Sequence, residues 1–487
     1  MNETPKRITA AEWETRMAGV SADFRAECAH MKSIVPGGAS YLFGPMEYAR
    51  RGDRLLERLK YDNSLAALRL WAFLFSEKDR LFLAKENGWK IFAVMKDLGQ
   101  IPVISYAVPE SLTFYADELW WAPCFACRPQ LLDVATSLGA TEDLCFVRAA
   151  LGAMKTLDYF PKPDLCIAGV GGVCDDFSAV MQLIEWQGNR VHWWEIPSRI
   201  EPSKYTKSGK YSKTPFGGVE YETGAVPFLV EQYRGIVAAL EEVSGRKITD
   251  KMISENLKRF NVIRGKVSEL RELVYTADRV PLPGLEMFLA EFLGIHACSE
   301  PDEVIPVLDT LLAEVRRRLE KKISPLPGDP VRVYWVSPPT DASIITLLED
   351  LGGCVTGSEY LISHSFFKLR ENIPPLEAIA ENEMDDPMIG TVAERAKRIV
   401  AEARRFRAEG VLITGIFGAS HCPFEEGAIA DAVRAELDLP VVAFDVPFSP
   451  DGLSGQVINR VEGFVEILKE RRRGRDNSGL TGECCNI

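Results

Sequence analysis

The chain has 487 residues, 46% of them hydrophobic and 26% charged, with a formal net charge of −13. That length exceeds one ordinary core and implies about three domains, while the acidic balance argues against nucleic acid as the main partner. No run reaches the roughly 18 apolar residues of a membrane helix, and no signal-peptide core follows the polar start Met1-Asn2-Glu3-Thr4; the expectation is a soluble, cytoplasmic protein whose 11 cysteines are thiols or metal ligands rather than disulfides.

Residues 1–95 read as a helical N-terminal region, with apolar residues at helical spacing in Arg54–Leu59 and Ser64–Phe75. A first α/β lobe is expected over 96–223. It holds strand-like runs at Ile101–Ala107 and Glu118–Ala122, a helical stretch opened by Cys145, and a strand at Asp164–Gly169. Phe177, Val180, Met181 and Ile184 then mark one face of a helix, and Val191–Ile196 is another strand. Within this lobe, residues 198–223 form a long polar loop, of a length that is often functional. A mostly helical segment follows over 224–327. The second α/β lobe, 328–470, has strands at Val331–Val336, Val411–Phe417 and Val441–Phe444, and a last helix marked by Val457, Val461, Phe464, Val465 and Leu468. Residues 471–487 read as a flexible tail. This alternation of strands and helices predicts an α/β fold with two parallel-sheet lobes, a helical N-terminal region and a helical insertion.

Two cysteines sit alike within that pattern. Cys174 follows the apolar run Leu165–Val170 across Gly171-Gly172-Val173, and Cys422 follows Val411–Phe417 across Gly418-Ala419-Ser420-His421. Open α/β sheets bind ligands just past the carboxyl ends of their strands, so the two cysteines look like parts of one site. Iron–sulfur clusters need soft thiolate ligands on rigid backbone, shielded from water, and glycines let the chain approach a bulky cluster. Cys145, Cys174 and Cys422 together would supply three ligands and leave a fourth iron open to substrate. The plainer account of any one of them is a small buried hydrophobe.

Three segments carry a resemblance: Asp143–Gly152, containing Cys145; Pro163–Asp175, containing Cys166 and Cys174; and Gly410 through Cys422 and Glu425–Gly427 to Asp445, Gln456, Arg460 and Phe464. In order and spacing this set resembles the family of 2-hydroxyacyl-CoA dehydratase and benzoyl-CoA reductase subunits, over roughly residues 90–470. The resemblance implies Rossmann-like lobes around a buried [4Fe–4S] cluster held by Cys145, Cys174 and Cys422. It implies two-fold pairing with a second subunit of the same fold, an acyl-CoA substrate, and a separate ATP-hydrolysing iron–sulfur activator that delivers electrons singly at low potential. A dehydratase of this kind expels a 2-hydroxyl group and an aryl reductase reduces a ring. A further branch holds an [8Fe–9S] double cubane and reduces small molecules; a non-catalytic or electron-relay partner subunit is the remaining alternative. The chain itself has no Gly-x-x-x-x-Gly-Lys-Ser/Thr phosphate loop, so any ATP is hydrolysed on another polypeptide.

Other residues are weighed beside these. Cys124-Phe125-Ala126-Cys127 is a lone C-x-x-C, structural or redox, and the tail pair Cys484-Cys485 reads as incidental. Cys28, Cys166, Cys298 and Cys354 read as core. His421 titrates in the range of a proton donor, against the plainer account of a surface histidine at a turn. Asp175 and Glu425 or Glu426 fall in first helical turns, where the helix dipole alone accounts for acids; Glu425 is carried as a candidate for proton transfer. Lys204, Lys207, Lys210 and Lys213 recur every three residues through the polar loop, interleaved with Tyr205 and Tyr211. They are candidates for the phosphates of CoA, against the plainer account of a solvated loop. Arg460 and Gln456, one turn apart, are placed to pin Asp445 or a partner subunit.

Overall fold

A computed structural model describes residues 4–30, 39–40, 42, 46, 54–95, 100–116, 129–172, 174–199, 209–297, 299–337, 341–360, 362–419, 422–447, 449 and 451–481; Cys422 is described by its backbone alone. Two four-stranded parallel sheets organise the chain. The first contains β1 (Lys90–Met95), β2 (Ser111–Tyr115), β3 (Leu165–Gly171) and β4 (Val191–Ile196), ordered β2-β1-β3-β4. Helix α1 (Ala149–Thr156) precedes β3, and α2 (Asp175–Trp186) joins β3 to β4. The insertion follows, four helices that include the 26-residue α3 (Asp250–Tyr275).

The second sheet has β5 (Val331–Val336), β6 (Gly353–Glu359), β7 (Gly410–Ile416) and β8 (Val441–Val446), ordered β6-β5-β7-β8. Helices α4 (Pro375–Glu383) and α5 (Val392–Arg405) lie between β6 and β7, α6 (Cys422–Leu437) joins β7 to β8, and α7 (Gly455–Thr481) closes the fold. The two sheets share one strand order. Their central strands β3 and β7 are apolar without alternation because both faces are covered. Their edge strands β4 and β8 alternate in the same way, with Trp194 and Ile196 inward and Glu195 outward in one, and Phe444 and Val446 inward and Asp445 outward in the other. Helix α3 packs against both lobes, touching the Ile101–Ser105 helix on one side and β6 and α4 on the other.

Several expectations are corrected. Ile101–Ala107 is not a strand: Ile101–Ser105 is a helix with proline in its first turn and all five residues buried. A short run buried on every side carries no period by which to tell helix from strand. The strand β1 lies inside the region expected to be helical, so the first lobe begins before residue 96. The N-terminal region also holds short antiparallel pairs, Arg7–Thr9 with Lys60–Asp62 and Ala29–His30 with Ala39–Ser40. It is joined to the insertion by Asp62–Arg318 at 2.6 Å and Arg69–Glu303 at 2.7 Å, all four side chains buried. The polar loop contains a hairpin, Tyr211–Lys213 paired with Glu220–Glu222. Helix α7 continues to Thr481, through most of the expected tail. The run Glu118–Ala122 lies outside the described residues.

Candidate functional site at the ends of the central strands

The site is built on two glycine turns. Gly171 ends β3 with φ +86°, where a side chain would collide with the carbonyl of Ile196; the left-handed backbone and the lack of room both demand glycine. Cys174 then forms the N-cap of α2 with extended backbone and is buried. In the second lobe Gly418 follows β7 with φ +80°, and a Cβ there would lie 3.3 Å from Glu142 O and 3.4 Å from the N and Cα of Cys145. The turn leading to Cys422 thus rests on the backbone of Cys145. Cys145, also buried, is the N-cap of the 3-10 turn Phe146–Arg148, and α2 packs against that turn.

Cys145 and Cys174 accordingly cap two helical elements in contact, and Cys422 is the first residue of α6. Helix starts favour negative charge and so favour thiolate over thiol. Half-buried Arg148 adds a cation in range of Cys145; burial draws its pKa down, against the carboxylate of Glu142 and the Cys145 sulfur. Among the described residues no three His, Cys, Asp or Glu side chains gather as a metal site. Cys28, Cys166 and Cys354 are core residues as expected, and burial pushes the thiols of Cys166 and Cys354 up to about 12. His421, Cys124, Cys127, Cys298, Cys484 and Cys485 lie outside the described residues.

Glu425 and Glu426, adjacent near the start of α6, have different surroundings. Glu425 pairs with Arg395 of α5, which also holds Glu359 at the end of β6 at 2.9 Å. Glu426 lies beside Asp445, and both carboxylates occupy the space that a side chain on Gly415 would fill. Burial, then repulsion by Asp445, raises Glu426 to about 7 against the lowering influence of Arg460. Arg460 donates from Nη1 to Ala443 O at 3.2 Å, so it pins the strand that carries Asp445 through backbone. In the first lobe Ser178 of α2 donates to Gly169 O at 3.0 Å.

A pH dependence follows. The Glu426 carboxyl keeps its proton in the fold to about pH 7 but ionises near its ordinary 4.5 when unfolded. The native state binds more protons across that window, so stability falls as pH rises through it. Glu426→Gln is expected to raise the thermal midpoint at pH 8 and to leave it nearly unchanged at pH 4, as paired calorimetric scans would show.

Among the described residues, the basic lining of the interlobe cleft comes from arginines and Lys397 and not from the lysine series. A cleft of ≈ 580 Å³ is bounded by Arg199 and the Gly217–Glu220 turn from the first lobe and by Pro387, Arg395, Lys397 and Arg398 from the second. Lys213 stands 3.8 Å from Glu220 on the hairpin, and neither it nor Lys210 lines the cleft; Lys204 and Lys207 lie outside the described residues. Arg199 is bound to Glu394 at 2.9 Å. Arg398 donates to Asp385 O at 3.0 Å with its guanidinium over the Phe367 ring, and Lys397 is exposed. In sequence these α5 cations look like an ordinary solvated helix face; only the approach of the hairpin turns that face into a wall.

The family model described as 2-hydroxyglutaryl-CoA dehydratase, D-component, matches residues 90–468, from the first residue of β1 into α7. No curated protein matches the chain.

Proposed function

We infer the function from one premise: the chain belongs to the 2-hydroxyglutaryl-CoA dehydratase, D-component family, and is a dehydratase-type component. Within that class it is proposed to be the iron–sulfur subunit of an ATP-dependent acyl-CoA dehydratase, with Cys145, Cys174 and Cys422 as the cluster ligands. The observation that carries this reading is the seating of Gly418 on the backbone of Cys145, while Cys145 and Cys174 cap touching helical elements. The residues present fit such a group: two buried thiols at helix starts, a third cysteine opening α6, and a glycine turn that lets the backbone before Cys422 approach that of Cys145. A bound [4Fe–4S] cluster would supply low-potential single-electron transfer to a CoA thioester, with one iron open to it.

The chain's own residues have separate tasks. Arg148 balances thiolate charge beside Cys145. Lys397 and Arg398 attract the phosphates of CoA at the cleft, and Lys204, Lys207, Lys210 and Lys213 add to that field from the loop. A cleft of this volume lies in the ordinary range of small-molecule sites. A second subunit of the same fold and an ATP-hydrolysing activator complete the proposed complex; the phosphate loop missing from this sequence supports the second of these. His421 and Glu425 remain proposed proton-transfer groups, Glu425 through a carboxylate already shared with Arg395.

Titration calorimetry with 2-hydroxyglutaryl-CoA tests the reading. The ester is expected to bind with an affinity that falls as salt rises. Lys397→Ala with Arg398→Ala should weaken it about tenfold or more, as expected for charge-assisted contacts. No binding, or an unchanged affinity in the double variant, would remove the CoA assignment of the cleft.

A further inference from the structure

The N-terminal strand pair, Arg7–Thr9 with Lys60–Asp62, lies ahead of the residues that match the family model, and buried charge fastens it to the rest of the chain. Asp62 accepts from both terminal nitrogens of Arg318, at 2.6 and 2.8 Å, on the helix Pro301–Lys321. Its own backbone N–H donates to Glu286 Oε1 at 2.9 Å, on the helix Gly284–Phe292, and Trp71 Nε1 donates to the same oxygen at 3.0 Å. Arg7 reaches Glu349 at 3.2 Å and Asp350 at 2.7 Å, at the end of the helix Ser343–Asp350, and Lys60 reaches Asp350 at 2.7 Å. Glu349 Oε1 in turn accepts from Gly284 N at 2.6 Å. Three buried carboxylates, Asp62, Glu286 and Glu349, therefore meet where the strand pair, the insertion and the second lobe join.

One of the three is out of place as an anion. Glu286 Oε2 is buried and has no hydrogen-bond partner among the described residues, and burial without a donor disfavours an ionised oxygen. The surrounding charges balance without it. Asp62, Glu314, Glu349 and Asp350 pair with Arg7, Lys60, Arg317 and Arg318, four acids with four bases. An ionised Glu286 adds a negative charge beside Asp62 and Glu349 with no cation to match it. Burial, then repulsion by Asp62, accordingly raises its carboxyl to about 8, with Trp71 and the Asp62 N–H opposing. Burial raises Glu349 to about 7, with Arg7 and the Gly284 N–H opposing. Tyr61, next to Asp62, is pushed up by burial and then by Glu286, and stays protonated. Helix α3 and β6 pack on the same helix as Glu286, but they direct Arg271, Tyr275 and Ser358 to Glu291.

We propose that Glu286, Asp62 and Glu349 form a proton-operated clasp: with a proton on Glu286 the N-terminal strand pair is docked, and when that proton passes to solvent the pair loosens while both sheets stay folded. Once the pair lifts, water reaches Glu286 and its carboxyl ionises near its ordinary 4.5. The docked state therefore binds more protons between that value and about 8, so docking weakens as pH rises through this window. The loosening extends beyond the clasp, because Arg58, two residues before Lys60, lies against Gly452 in the connection from β8 to α7. The clasp is independent of what the interlobe cleft binds.

Hydrogen–deuterium exchange of the full chain, read by mass spectrometry at pH 6 and pH 8.5 and corrected for the intrinsic rate, tests the clasp. Protection of Arg7–Thr9 and Lys60–Asp62 should fall about tenfold or more between the two, while β3 and β7 keep theirs. Glu286→Gln keeps the shape of the side chain and carries no charge, so it should abolish the fall. Should that variant not fold, Glu349→Gln removes a repelling neighbour and should make the fall smaller. An undiminished fall in either variant overturns the proposal. So does equal protection of the parent's strand pair at both pH values, or a fall shared equally by β3 and β7.

Discussion

Cys145→Ala, Cys174→Ala and Cys422→Ala are each expected to strip most of the iron and acid-labile sulfide from the chain purified without oxygen, leaving colourless protein where the parent is brown. A cubane held by three thiolates tolerates no missing ligand, and the core cysteines Cys166 and Cys354 make poor substitutes because they sit at the starts of β3 and β6 and burial keeps their thiols protonated. Cys166→Ala and Cys354→Ala should retain the metal and serve as controls. The argument rests on Cys145 and Cys174 capping adjoining helical elements while the turn before Cys422 lies against Cys145. Iron and sulfide analysis of the five variants decides it: a metal-poor parent, or a full complement in any of the three ligand variants, would end the cluster proposal. About four irons per chain fits a single cubane, and spectroscopy of the reduced protein separates that from a double cubane shared by two chains.

The second large effect concerns Arg395→Met, expected to cost about 3–5 kcal/mol of stability, as breaking a buried ion pair does. Arg395 donates to Glu359 at 2.9, 3.0 and 3.2 Å, to Ser337 Oγ at 3.2 Å, and to Glu425. One guanidinium thus joins the ends of β5 and β6 to the first turn of the helix that begins with Cys422. Removing it leaves the fully buried Glu359 carboxylate without its hydrogen-bonded cation, with Arg398 the remaining positive charge acting on it. Burial already holds the Glu359 carboxyl above its ordinary range, with Arg395 opposing, so the variant raises it further. The stability deficit should therefore be smallest in acid, where Glu359 takes up a proton, and should grow as pH rises through the carboxylate range. Urea unfolding at two pH values measures this. Arg395→Met combined with Glu359→Met should recover much of the loss, since removing both charges removes the unpaired one. A variant as stable as the parent at neutral pH would show that the pair contributes little.

The parts legible in the sequence were those with a strong local signature. Unbroken apolar runs ending in glycine announced β3 and β7, and the alternation with helices announced two parallel sheets. The small-residue turns before Cys174 and Cys422 set those cysteines apart from Cys166, which continues a strand. Lys90–Met95 was missed because six mostly apolar residues beside a helical stretch carry no period of their own, and Ile101–Ser105 was misread for the same reason. Tertiary pairings were out of reach. Arg395 meets Glu359 and Glu425 from thirty or more positions away, and Glu426 differs from Glu425 only because Gly415 leaves a space and Asp445 shares it.

The seating of Gly418 on Cys145 has a mechanical corollary. Any hinging of one half of the molecule against the other must open or close the gap between Cys145 and the start of α6 before it disturbs either sheet. A molecule that straddles the cleft from Arg199 to Arg398 grips both halves at once, and so sets that gap from a distance. By thermodynamic reciprocity, whatever clamps the gap must in turn tune how tightly the straddling molecule is held.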